Sequence, residues 1–159
     1  TLAFMHALCD LLRRRHEWQA VVDLVRESRQ PPIGPPRGLL AFAFRVEFIR
    51  ALQALGDPAT ARGEADQAFS EVLGFPAAIR LGAAQMLPWN ACAEFLGPAA
   101  LAGMASALRD VCEAGGQDGA DLLAKIASAQ AMAATTATGL DGPSSGASMP
   151  AGRRDRGLT

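Results

Sequence analysis

Tyrosine is absent from this chain of 159 residues, lysine occurs once, histidine twice and cysteine three times. Each scarcity removes a class of function. Zinc wants three or four convergent ligands, and His6 and His16 with Cys9, Cys92 and Cys112, widely spaced and without a CxxC pair, do not supply them. The same odd, dispersed thiols give no disulfide framework and point to reduced core cysteines in an intracellular protein. Long apolar runs are missing too. GLLAFAF at 38–44 meets Arg45, Glu47 and Arg50 within two turns, far short of the about 20 uncharged residues that span a bilayer, and so predicts a buried helix. No stretch alternates apolar and polar residues over a useful length, which removes the strand signature. A surplus of basic charge is also lacking. Residues 1–50 carry eight arginines against five acids, 51–134 four basic residues against nine acids, and the remainder three arginines against two aspartates. A chain built mainly to hold phosphates shows a basic surplus throughout, so the balance leans away from nucleic acid while leaving a local basic face near the amino end.

What is present is helical period. Phe4, Leu8, Leu11 and Leu12 recur at helical spacing, as do Trp18, Val21, Val22 and Val25, then Leu101, Met104, Leu108 and Cys112, then Leu122, Leu123, Ile126 and Ala129. Alanine-rich, straight-chain composition agrees with helix. GDP at 56–58, FP at 75–76, LPW at 87–89 and GP at 97–98 place proline where a first helical turn accepts it, with Asp57 as a cap. Gly74 ends one helix and Gly115 is available for a left-handed turn at the end of another. QPPIGPPR at 30–37 forbids helix and reads as a stiff connector. Residues 135–159 hold too few large apolar side chains to pack and read as a disordered tail.

The predicted helices pair as four hairpins: 2–15 with 17–29, 38–55 with 58–73, 76–87 with 88–96, and 98–114 with 119–133. An internal match, ALCDLL at 7–12 against ALRDVC at 107–112, lies one hundred residues apart, and three steps over that interval average about 33 residues, in the range of two-helix repeats. A weaker echo joins WQAVVDLV at 18–25 to WNACAEFL at 89–96. The fold class expected is therefore all-α, a right-handed α-α superhelix, or solenoid, of about four helical hairpins over residues 1–134. A lone hairpin cannot bury its apolar stripe, so neighbours stack and leave an extended concave face.

LCDLLRRRHEWQAVVDLV at 8–25 and VCEAGGQDGADLLAKI at 111–126 resemble the middle of pentatricopeptide repeats, and ALQALGDPATARGEADQAF at 51–69 resembles a tetratricopeptide unit. The pentatricopeptide resemblance implies repeats aligned along single-stranded RNA, with one polar residue of each first helix choosing the base. The position that matches it in the first hairpin is Met5, whose thioether offers no directional hydrogen bond to a base edge.

RRRHE, at 13–17, carries the one basic cluster near the amino end. Successive helical residues point about 100° apart, so Arg13, Arg14 and Arg15 cannot converge on one phosphate. They are expected to cap a helix end, with Arg15 laying its stem over the core edge and the other two facing water. A phosphate or partner groove needs more, and Arg13, Arg14, Arg26, Arg29 and Arg45 are the candidate contacts. Trp18 is expected in the core, and His6 hydrogen-bonded to Asp10 one turn on; His6, Cys9 and Asp10 alone share a helical face without completing a metal site. EAGGQDGAD follows a helix rather than a strand and so reads as a turn, not a phosphate cradle. No nucleophile elbow, HExxH motif or Ser/His/Asp set is present. The expectation is a non-enzymatic scaffold, with no catalytic residue, cofactor, metal, membrane span or small-molecule substrate, binding a protein partner or packing inside a multi-subunit complex. The alternative is a single-stranded RNA binder using the basic amino-terminal half.

Overall fold

The computed structural model describes residues 2–30 and 38–140, and among them every regular element is a helix: α1 (Leu2–Arg14), α2 (Trp18–Ser28), α3 (Gly38–Ala54), α4 (Pro58–Gly74), α5 (Ala77–Met86), α6 (Trp89–Cys92), α7 (Pro98–Ala114) and α8 (Gly116–Leu140). The chain is all-α. Most of the proline-rich connector and most of the tail expected from 135 onward lie outside the described residues; where they meet, α8 runs on to Leu140 rather than stopping near 133.

The organising element is α3. Its apolar residues cover two nearly opposite faces, because Phe42, Val46 and Ile49 repeat at helical spacing while Phe44, Phe48, Ala51 and Leu52 repeat about 200° away. A helix apolar all round must be covered all round. The first face joins a large cluster with Ala65, Ala68 and Val72 of α4, Trp89 of α6, Leu101 and Leu108 of α7, and Leu122 and Ile126 of α8. The second joins a smaller cluster with Cys9 of α1 and Val21, Val22 and Val25 of α2. Successive first helices touch along a row, α1 on α3, α3 on α5 and α5 on α7, while α1 lies on α2, α3 on α4 and α7 on α8. α4 also reaches α7 across the third pair.

That third pair is where the four expected hairpins are uneven. Instead of a second helix over 88–96, α6 is a four-residue turn of helix, and Leu87 before it is extended, at ψ 137. Pro88 removes the amide that a continuing helix would donate. On α1 the buried stripe sits one residue away from the expected one: Met5, Cys9 and Leu12 face the core, whereas Phe4 is 69% and Leu11 46% exposed. Both stripes are apolar, and a one-residue shift rotates the face by only about 100°.

The turns answer for RRRH. Arg15 N–H donates to the carbonyls of Leu11 and Leu12, both at 3.1 Å, His16 to Arg13 at 3.0 Å and Glu17 to Leu12 at 3.0 Å, with His16 left-handed at φ 57. This is a Schellman stop. Forty residues on, Leu55 donates to Ala51 at 2.9 Å, Gly56 to Gln53 at 3.1 Å and Asp57 to Leu52 at 2.9 Å, with Gly56 at φ 76. One hundred residues from Arg15, Gly115 donates to Val111 and Cys112 at 3.1 Å, and Gly116, not Gly115, takes the left-handed φ of 60. The hundred-residue sequence match therefore aligns two equivalent turns, although the steps between them are unequal. Asp57 caps α4 by accepting from Thr60 N–H at 3.2 Å. α8 starts at Gly116, directly after the turn, and Gly119 lets it fold back on α7: a Cβ there would collide with the Cys112 carbonyl.

Candidate partner-binding groove

The helix ends that these turns bring together frame a groove of about 490 Å³. The first pair contributes Arg13, in the last turn of α1, and Trp18, which opens α2. The second contributes Arg50 and Gln53 near the end of α3, and the third Gln85, Trp89 and Asn90 around the α5–α6 turn. Lys125, exposed on α8, comes from the fourth. Residues of α1, α2, α3, α5, α6 and α8 thus share one groove. Its lining holds three cations, three side-chain amides and both tryptophans, and no carboxylate. The Trp18/Trp89 echo in the sequence corresponds to this arrangement, since each opens the second helix of its pair and both face the same groove.

The tryptophans are not equivalent. Trp89 is 3% exposed and its indole Nε1 donates to the Ala84 carbonyl at 3.0 Å, so it forms a fixed wall. Trp18 packs only partly into the smaller cluster and meets His16 edge-on at 5.6 Å. It is half core and half groove.

Beneath the groove Glu47 of α3, 8% exposed, ties two of the cations together. Its Oε1 accepts from Arg50 at 2.8 Å, and its Oε2 lies 3.2 Å from Arg13 Nε. The second contact is ionic but misaligned, so both buried atoms are left without a hydrogen bond. Arg13 also binds Asp10, whose carboxyl is held below its ordinary value chiefly by that Arg13 hydrogen bond, with Arg14 adding to it at 2.8 Å. Arg13 is therefore the arginine that turns inward, while Arg15 is exposed, the reverse of the expected order. The stem of Arg13 follows from position: it lies one turn beyond Cys9, on the buried face, and Arg15 does not.

Of the five arginines expected to make contacts, only Arg13 lines the groove. Arg14 is exposed and engaged with Asp10. Arg29 forms a two-point pair with Glu64, at 2.9 and 3.0 Å, and stacks 4.8 Å over Phe48; Arg26 lies 6.0 Å from the same ring. Arg45 binds Glu64, Gln67 at 2.7 Å and Glu71 at 2.9 Å. These form a clamp joining α2, α3 and α4. At Glu64 burial pushes the carboxyl up, but Arg29 and Arg45 outweigh it, and the net shift is downward. Arg50, Lys125 and the three amides were not singled out by sequence; that Lys125 is the only lysine was the available signal.

The thiols and His6 lie outside the groove lining. Burial, helped by the Glu47 charge, pushes the Cys9 thiol up to about 11, and burial pushes Cys92 up to about 12, so both stay protonated at neutral pH. The His6 ring meets Phe44 edge-on at 5.7 Å, and the Asp10 carboxylate expected to hold His6 is taken by Arg13 and Arg14. Among the described residues no group of three or more His, Cys, Asp or Glu side chains is placed to hold a metal ion, and no helix is long and apolar enough to cross a membrane. Comparison with protein-family models, curated proteins and solved structures returns no match.

Proposed function

We propose that this chain is a non-enzymatic scaffold of stacked helical pairs, arranged as a right-handed superhelix of the tetratricopeptide and pentatricopeptide kind, that binds an extended segment of a protein partner or of a neighbouring subunit. The observation that carries this reading is the groove to which all four pairs contribute. A ligand lying in it touches α1, α3, α5 and α8 together, which is the geometry by which stacked pairs engage extended chains. The single-stranded RNA alternative has less behind it. Arg29 and Arg45 are committed to Glu64 and Glu71, Met5 packs into the smaller cluster, and Trp89 has no open face for a base.

The chain carries its own reporter. Both of its tryptophans line the groove and it has no tyrosine, so its ultraviolet emission arises there. Titration with a pool of unstructured decapeptides of mixed composition is expected to shift that emission saturably. An emission that no peptide pool alters, beside saturable binding of oligouridine that weakens steeply with salt, would replace the protein-scaffold reading with the RNA one.

A further inference from the structure

We propose that the groove selects a protein segment bearing carboxylates, received by Arg50 and Lys125 with Arg13 held in reserve by Glu47. The inference rests on the scaffold reading and adds the chemistry of the occupant.

Charge is the first argument. Residues 51–134 carry nine acids against four basic residues, yet the groove that this half helps to build is lined by Arg13, Arg50 and Lys125 and by no acid. Arg13 and Arg50 come from the basic stretch 1–50 and Lys125 from the acidic one, and a local field of three cations attracts carboxylates. The nearby carboxylates are already engaged: Asp10 by Arg13 and Arg14, Glu47 by Arg13 and Arg50, and Glu94 by the Gln53 amide in the adjoining cavity. Lys125 forms no ion pair among the described residues.

An unfinished contact lies below the groove. Arg13 Nε and Glu47 Oε2 are buried at 3.2 Å from each other without forming a hydrogen bond. Buried polar atoms left in that condition are costly; re-aiming Arg13 toward an arriving carboxylate exchanges this misaligned contact and the Asp10 pair for a new charged hydrogen bond, and Glu47 keeps Arg50 in place meanwhile. Side-chain amides suit a peptide backbone. Gln53, Gln85 and Asn90 each offer both a donor and an acceptor, matching the paired N–H and C=O groups of an extended backbone.

The test is fluorescence anisotropy with three labelled decamers: a peptide alternating Asp or Glu with small residues, its Asn/Gln isostere, and oligouridine. The acidic peptide is expected to bind at least about tenfold more tightly than the isostere, the factor that one charged hydrogen bond supplies. Lys125→Glu, at an exposed position, and Arg50→Gln should each remove about that factor, while Arg109→Glu, outside the groove, should not. Equal binding of acidic peptide and isostere, or acidic-peptide binding indifferent to Lys125→Glu, would overturn the carboxylate assignment while leaving the scaffold standing. Failure of both peptides would remove both readings. Tighter, Lys125-dependent binding of oligouridine would transfer the groove to RNA.

Discussion

His16 shows what one residue contributes when its side chain is secondary to its backbone. At φ 57 it holds a conformation that costs an L-residue about 1–2 kcal/mol and that glycine adopts freely, as Gly56 does at the equivalent turn. His16→Gly should raise stability by about 0.5–1 kcal/mol, the lost edge contact with Trp18 offsetting part of the gain. A thermal or urea melt that moves the other way would show that the histidine ring, not the turn, governs the position. Glu64 gives a second residue-scale prediction. Its carboxyl is lowered in the folded chain because Arg29 and Arg45 overcome its burial, so its stabilising pairs are fully present above the ordinary value of 4.5 and are lost as pH falls through the lowered folded value. Melting midpoints of the wild type should therefore drop in that acid range, and Glu64→Gln should start lower at neutral pH and show a shallower acid slope. Side-chain destinations of this kind were the least legible part of the sequence. The choice between Arg13 and Arg15 as the inward arginine turned on whether Cys9 or Leu11 faced the core, and the apolar period of the sequence favoured Leu11.

Elements were more legible, because helix period and punctuation act locally. Pro58 and Pro98 open α4 and α7, and the Asp57 cap and the end of α4 at Gly74 appear where the sequence put them, while Pro76 and Pro88 stand one residue before α5 and α6. The exceptions arise from contacts a local rule does not see. α6 was expected to be a full helix from its apolar residues, but Trp89, Cys92 and Leu96 are buried by other helices rather than by helical pairing of their own. α8 was expected to begin at 119, where a glycine stands; that glycine instead serves the crossing with α7. Gly119→Ala should lower stability by about 1–3 kcal/mol or more, since the added methyl meets Cys112 backbone rather than a movable side chain. Gly103→Ala, within α7 and in open space, should do the opposite and stabilise by about 0.5–1 kcal/mol. Chemical denaturation of both variants checks the pair, and a harmless Gly119→Ala would mean that α8 can enter its crossing another way.

At the scale of the molecule, the all-helical class was legible and the groove was not. Its lining spans Arg13 to Lys125, and only the packing of the helices brings those residues together. The Trp18/Trp89 echo was a partial sign of it, visible as a similarity before it had a place. The same stacking predicts how the chain unfolds. Two apolar clusters share α3, and Phe95 packs against both, so neither cluster can open without uncovering a face of the helix that completes the other. With large buried side chains each contributing about 1.5–3 kcal/mol, exposing one face of α3 should destabilise the remainder enough to make unfolding a single transition. The tryptophans test this directly, because Trp18 packs against the smaller cluster and Trp89 belongs to the larger. In Trp89→Phe the remaining emission reports the smaller cluster, in Trp18→Phe the larger, and far-ultraviolet circular dichroism reports all helices at once. Within each variant the emission and dichroism midpoints should coincide in urea. If Trp18 emission changes well before the helical signal, α1 and α2 form a separately melting unit, and a groove built from all four pairs would then be assembled only when that unit is docked on α3.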